Sequence, residues 1–368
     1  MQKNCIEMRR VLHKMPELDR SLPKTLSFIL SCLNTLPCRI WSPTLSSLAA
    51  YFDFHQDHTL AFRSDMDALP IRETNDISYV SQHLGKMHAC GHDGHMAMLL
   101  EFAQYAASLK TCRHNILLLF QPAEETSGGA EDICKTNLLK KLHTAAVFGI
   151  HLWPGLPCGT IASKSGALMA GSHEIYLSVK GSRAHIASCE NGKDALHAAT
   201  ELLQTIYEHF PGNEHYLLKF GFMQSGTAPN AISAYSLIKG SLRYYDEPVR
   251  KNIMHGIVML SKKIEKKYDC RIQMTLSDGY PPLINHEELF EKVFSLYPLQ
   301  ELKEGNFLTD DFSFYAREIP GLYVYLGTGM DEPLHSDHFN FDEKTLQSGI
   351  AYYRSLLSLS MEDINKIY

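Results

Sequence analysis

Three apolar runs in this chain stop at ionisable residues, and that repeated transition constrains the fold more than any single motif. Thr59-Leu60-Ala61-Phe62-Arg63 leads into Ser64-Asp65-Met66-Asp67, Ile116 to Phe120 leads into Gln121-Pro122-Ala123-Glu124-Glu125, and Val147-Phe148-Gly149-Ile150 leads into His151. Runs of this length suit strands buried on both faces, as in a mostly parallel sheet with helices above and below. Ligands of open α/β sheets collect beyond the carboxyl ends of the strands. Three strands that each release Asp, Glu or His at that end therefore predict one shared site.

The segment His88-Ala89-Cys90-Gly91-His92-Asp93-Gly94-His95 packs three imidazoles, a thiol and a carboxylate into eight residues. Gly91 and Gly94 permit tight backbone, and so many donors in one short loop have no packing rationale; the segment reads as metal-binding. Its donors suit zinc, cobalt, nickel or manganese. Spacing alone does not select among His88, Cys90, His92 and His95. Four ligands on so short an arc would crowd, so one or two are expected to orient the others by hydrogen bonding.

Glu124 and Glu125 follow a buried run and a proline, a poor setting for a merely solvated acidic pair. Adjacent carboxylates in metal hydrolases divide the labour: one holds metal, and its neighbour takes a proton from water and passes it to the leaving nitrogen. Asp65 and Asp67 read either as turn caps or as groups that orient a ligand, and their strand-end position favours the second. His151 is a candidate ligand because of its strand-end placement. His335 and His338 lie in a late polar loop, and periodicity does not choose between them.

At 368 residues the chain is too long for one compact core, so two domains are expected. The first forty residues read as helical, and a helix is expected from Gly94 to about Leu109. From Met169 the texture changes to alternating strands (Glu174 to Lys180, Tyr216 to Met223, Ser236 to Tyr244, Arg271 to Leu276). Helices are expected at Asp194 to Phe210 and Pro248 to Tyr268. This order predicts a smaller α+β domain over 169–278, inserted between two parts of a larger domain, 1–168 and 279–368. A net charge of −6 argues against nucleic-acid or anionic-membrane partners and favours small-molecule chemistry. Nine cysteines without a CxxC pair argue for reduced thiols. No apolar run approaches the roughly 20 residues of a membrane helix, the polar start lacks a secretory pattern, and a cytoplasmic location is expected.

Taken together, these motifs resemble the M20 metallopeptidase family, in particular its amidohydrolase branch of aminoacylases, hippurate hydrolases and indoleacetyl-amino acid hydrolases. The resemblance covers Leu12-His13 through Pro16-Glu17-Leu18, Arg63 through Glu73, Met87 through His95, Phe120 through Ala130, Gly149 through Pro154, Asp311 through Tyr315, and Pro333 through Phe339. It implies a zinc-exopeptidase-like α/β catalytic domain interrupted by a smaller lid domain that makes a homodimer. It also implies two divalent metal ions held by Cys90, His92, Glu125, His151 and His335, with Glu124 as general base and Asp67 orienting the ligands. In the smaller domain it places His185, Asn230 and Arg243 where the family meets substrate, the histidine often serving the partner subunit's site.

The implied reaction is hydrolysis of the amide of an N-acyl amino acid. The alternatives are a dipeptidase or aminopeptidase on the same scaffold, or a non-catalytic metal-binding protein. The chain departs from the family pattern in lacking the proline that commonly follows the histidine at 185. It also carries Asn137 where glycine is usual and Thr309-Asp310-Asp311 where Ser-Glu-Asp is common.

Overall fold

The computed structural model describes residues 3–360. The chain divides into two compact units. One runs up to Leu168 and resumes over Leu283–Gly305 and from Asp310 onward; the other comprises Met169–Pro282 together with Asn306–Thr309.

The first unit opens with α1 (Cys5–His13), α2 (Pro23–Leu33), β1 (Arg39–Trp41), β2 (Leu48–Phe52), β3 (Thr59–Asp65) and α3 (His92–Ser108). It continues through β4 (Asn115–Gln121), α4 (Gly129–Lys135), α5 (Leu138–Lys141), β5 (Thr144–Trp153) and β6 (Ile161–Ser163), and β7 (Gly166–Met169) leads out of it. The second unit holds β8 (Gly171–Lys180), α6 (Ala195–His209), β9 (Tyr216–Ser225), β10 (Tyr235–Tyr244), α7 (Glu247–Tyr268) and β11 (Arg271–Leu276). The chain re-enters the first unit with β12 (Leu283–Asn285), α8 (Glu287–Leu296), β13 (Gln300–Glu301), α9 (Phe312–Glu318), β14 (Gly321–Gly327) and α10 (Thr345–Leu356).

The sheet of the first unit has the order β1-β2-β4-β3-β5-β14-β6-β13 among the described residues. Its centre is parallel: β3 runs with β4 and with β5, and β14 runs with β5. The antiparallel β1 and β2 extend it beyond β4. Every residue of β3, β4 and β14 is buried, as expected for strands covered on both faces. On one face the Phe62 ring packs against Phe102 of α3, Phe148 of β5 and Tyr353 of α10. On the other, Gly149 leaves room for Tyr323, whose ring a Cβ at 149 would approach to 2.6 Å, and Phe312 of α9 packs on that tyrosine.

Two expectations are corrected. The first forty residues are not continuously helical, because a turn at 14–22 separates α1 from α2 and places Leu18 in a bridge with Ala68, while Arg39–Trp41 is a strand. The second unit extends past 278 to Pro282 and takes in Asn306–Thr309.

That second unit is an antiparallel sheet of order β11-β8-β10-β9 with α6 and α7. Alternation along β8 sends Ile175, Leu177 and Val179 into a core shared with Ala198, Leu202 and Ile206 of α6 and Ile253, Ile257 and Leu260 of α7. Asp194 caps α6, its carboxylate accepting from the backbone N–H groups of Leu196 and His197. Among the described residues no helix is long and apolar enough to cross a membrane.

Candidate metal centre

Because β3, β4 and β5 are parallel neighbours, their carboxyl ends open on one edge, and each delivers chemistry there. Asp65 is the last residue of β3, and His151 lies near the end of β5. Beyond β4 the backbone turns sharply: Ala123 is forced into the left-handed region (φ 60) while fully buried. Asp67 fixes the residues that follow, accepting the backbone N–H of Glu124 at 2.9 Å and that of Glu125 at 3.1 Å. Gly91 (φ 85) starts α3 in a conformation that suits glycine, and a Cβ there would fall 2.8 Å from Leu152 Cδ1.

These turns converge donor groups from four chain segments. Cys90, His92 and His151 form one cluster, Cys90, Glu125 and His335 a second, and His92, Glu124 and Glu125 a third, each with donor atoms within 4.8 Å of one another. Cys90 and Glu125 thus link two adjoining pockets of donors. Cys90 Sγ stands 3.4 Å from His151 Nε2, and His335 Nε2 stands 3.3 Å from Glu125 Oε1. His335, at φ 66, is held there by its backbone N–H donating to Ala89 O at 2.9 Å. His338 instead faces Asp337 and Thr74 on the surface, which separates the two late-loop histidines.

Hydrogen bonds select the nitrogen that each buried imidazole turns toward the cluster. His92 Nδ1 lies 2.8 Å from Asp67 O, and His151 Nδ1 lies 2.7 Å from Leu152 O, so in both rings Nδ1 carries the proton and donates to a carbonyl. This leaves both Nε2 lone pairs facing the other donors, the arrangement usual for metal-ligating histidines. His92 Nε2 is buried yet makes no hydrogen bond, and the buried Glu125 Oε1 has the His335 imidazole, at 3.3 Å, beside it. Orphaned buried acceptors are costly unless a cation satisfies them, so this donor set fits divalent metal.

The protonation tendencies agree. Burial pushes His151 down to about 4 and also lowers His92, keeping both rings neutral, as ligands must be. Burial, then the neighbouring Glu125 and Glu124 carboxylates, holds the Cys90 thiol well above its ordinary range, a bias that a bound dication reverses. Glu124 is raised well above the usual carboxylate range by burial and then by Asp310 and Glu125. Burial would also raise Glu125, but the adjacent His335 imidazole outweighs it and keeps this carboxyl low. The two adjacent glutamates are thereby driven apart, one toward holding a proton and the other toward remaining charged.

Several residues around this cluster were open or unassigned in the sequence. His95 has both nitrogens engaged, Nδ1 2.7 Å from Asp65 Oδ1 and Nε2 accepting from Leu152 N–H at 2.9 Å, so it braces the segment after His151. His88 is buried with both ring nitrogens unbonded, and burial pushes it down to about 3. Arg63, wholly buried, donates to Gln121 at 2.9 Å, Asp65 at 2.7 Å and Asp311 at 2.7 Å, joining β3, β4 and the start of α9. Asp311 also accepts from Gln121 and Ala130, while the Tyr323 hydroxyl donates to Asp310. Asp310 and Asp311 form a further carboxylate cluster with Glu124. Nothing local in the sequence marks Arg63 or Asp311 as partners, since they are 248 positions apart.

The remaining predicted residues belong to the second unit. His185 and Asn230 are exposed and adjoin one another: Ile186 N–H donates to Asn230 O at 3.0 Å, and His185 Nδ1 accepts from Ala187 N–H at 3.1 Å. Arg243 is half-buried on β10 and donates to Thr309 Oγ1 at 3.2 Å.

Residues 61–359 match the model of peptidase family M20/M25/M40. A protein of Staphylococcus epidermidis described as an uncharacterized hydrolase is 33% identical over 367 residues, covering 95% of this chain and 96% of its own length. A solved structure from methicillin-resistant Staphylococcus aureus superposes with a TM-score of 0.91 at 26% identity, covering 98% of this chain and 96% of that one. The Bacillus subtilis YXEP protein, a dinuclear metal binding peptidase of family M20, does so with a TM-score of 0.85 at 26% identity, covering 96% of each chain. With the match spanning most of the chain and the donor cluster lying within it, this protein belongs to peptidase family M20/M25/M40 and is a metal-dependent hydrolase.

Proposed function

We propose that the protein is an amidohydrolase that cleaves N-acyl amino acids to a carboxylate and a free amino acid. The observation that carries this reading is the convergence of Cys90, His92, Glu125, His151 and His335 beside Glu124, a buried carboxyl of raised pKa. The first five are the ligands of two divalent ions, manganese, zinc, cobalt or nickel, and the dinuclear centre of the Bacillus subtilis relative supports that number. Bound there, such ions supply Lewis-acid polarisation of the scissile carbonyl and acidify water.

The chain's own groups do the rest. Glu124 takes a proton from the attacking water and delivers it to the leaving nitrogen; burial and neighbouring carboxylates raise this carboxyl while bound dications would lower it, a balance that lets one group both accept and release the proton. Asp67 keeps Glu124 and Glu125 in register through their backbone N–H groups. Asn230 and Arg243 recognise the substrate carboxylate. His185 stabilises the developing oxyanion of a partner subunit's substrate in a homodimer made through the second unit; these last assignments rest on the family resemblance.

The test is a hydrolysis panel of acetyl-, benzoyl- and arylacetyl-amino acids beside dipeptides, after reconstitution with each of the four metals. Preferred cleavage of an acyl-amino acid is expected. Preferred cleavage of dipeptides would reassign the protein as a peptidase, and metal binding without hydrolysis of either class would make it non-catalytic.

A further inference from the structure

The motif Leu12-His13 to Leu18 lies outside the donor cluster, yet the helix that leads into it carries two wholly buried polar side chains, Arg9 and His13. His13 is clamped between carboxylates, with Nδ1 2.8 Å from Asp93 Oδ2 and Nε2 3.0 Å from Glu73 Oε1. Arg9 spreads its guanidinium over three segments: Nε to Asp93 Oδ2 at 3.0 Å, Nη1 to Glu343 Oε1 at 2.9 Å and to Tyr79 Oη at 3.1 Å, and Nη2 to Asn340 Oδ1 at 2.8 Å. The ring of Phe341 lies beneath it, 4.0 Å from the guanidinium carbon.

Asp93 is the hub of these bonds, and it follows His92 in the first turn of α3. Asn340 to Glu343 close the loop that carries His335. Glu73 ends the segment that begins at Asp67, and its other oxygen accepts from Ser81 N–H at 2.7 Å. The next residue, Thr74, donates its N–H to Asp337 O at 3.0 Å, tying that segment to the His335 loop a second time. One buried network therefore holds three separate pieces of the metal centre: the turn with Cys90 and His92, the loop with His335, and the strand extension with Asp67. A buried guanidinium in a fixed fork suits this task because its bonds are directional and it cannot lose its charge.

We propose that Arg9 and His13 are positioning residues for the metal centre, setting the separation of the Cys90–His92 turn from the His335 loop through Asp93. They touch neither metal nor substrate. The inference rests on the reading of Cys90, His92 and His335 as ligands, and its consequence is that the N-terminal helix, although it contributes no donor to the cluster, sets metal affinity.

The experiment loads wild-type protein, His13→Leu, Arg9→Lys and Glu343→Gln with cobalt(II), with Cys90→Ser as control. It records the visible and thiolate-to-cobalt absorption, affinity by chelator competition, and far-ultraviolet circular dichroism. The wild type is expected to show a thiolate band that Cys90→Ser loses; its absence would remove the ligand reading itself. Given that band, the network variants are expected to keep native dichroism while losing about tenfold or more in metal affinity, the scale of outer-sphere substitutions, with a shifted cobalt spectrum. Variants that melt earlier yet bind cobalt with wild-type affinity and spectrum would overturn the proposal, leaving Arg9 and His13 as core ion pairs. If His13→Leu does not fold, Arg9→Lys and the partly solvated Glu343→Gln decide by the same criterion.

Discussion

Asp67 and Glu124 are joined through backbone rather than side chain: Asp67 Oδ1 accepts the Glu124 N–H at 2.9 Å while its second oxygen takes the N–H of Glu125 at 3.1 Å. One carboxylate thus sets both the proposed base and the proposed metal-binding glutamate. Asp67→Asn keeps the shape but offers a single acceptor oxygen, leaving one buried N–H facing an amide donor, an unmet hydrogen bond worth roughly 1–3 kcal/mol. Turnover is expected to fall about 10-fold to 100-fold. Steady-state kinetics with metal analysis checks this, and wild-type turnover would reduce Asp67 to a turn cap.

Glu124→Gln retains the volume and removes the proton carrier. Turnover is expected to drop by at least about 10²-fold with the metals still bound, the lower end for general acid–base catalysis. Substantial activity in the fully metallated variant would assign the base elsewhere, with Asp310 and Asp311, which cluster with Glu124, the carboxylates to test.

Cys90→Ser should weaken metal retention more than folding, since a hydroxyl is a far poorer ligand than a thiolate at neutral pH. Metal stoichiometry after dialysis, set beside thermal unfolding, separates the two effects. Unchanged stoichiometry and affinity would make Cys90 a packing residue and turn attention to His88, whose ring nitrogens are buried and unbonded.

Gly91→Ala asks a residue at φ 85 to carry a Cβ 2.8 Å from Leu152 Cδ1. The left-handed conformation alone costs roughly 1–2 kcal/mol. A lower melting temperature and a loss of metal are expected together, because Gly91 separates Cys90 from His92. Differential scanning calorimetry with metal analysis reads both, and a variant as stable and as fully metallated as wild type would show that this turn tolerates rearrangement.

If His185 serves a partner subunit, inactive Glu124→Gln and inactive His185→Ala proteins should regenerate activity on subunit exchange, because a mixed dimer contains one site with both residues intact. An active His185→Ala enzyme would make this exposed histidine a surface residue. An inactive one that verified exchange fails to complement would place it in its own subunit's site.

The sequence by itself determined the transitions from apolar run to ionisable residue, and with them the parallel centre of the sheet and the edge where the chemistry gathers. Burial on both faces and the end of a strand are local properties, written in consecutive residues such as Ile116 to Glu125. The His88–His95 loop was legible for the same reason, as donor density within one short segment. The family resemblance singles out Cys90, His92, His151 and His335 among those donors, but only tertiary structure supplies a physical reason for the division. It turned Nε2 of His92 and His151 toward the cluster by giving each Nδ1 a carbonyl, occupied both nitrogens of His95, and set His335 rather than His338 beside Glu125. It also paired Arg63 with Asp311, 248 residues away, and Arg9 with Glu343, 334 residues away. The physical reason is that a hydrogen bond depends on which atoms the closed sheet brings within about 3 Å, and sequence spacing carries no information about that distance once crossover helices and an inserted unit lie between the partners.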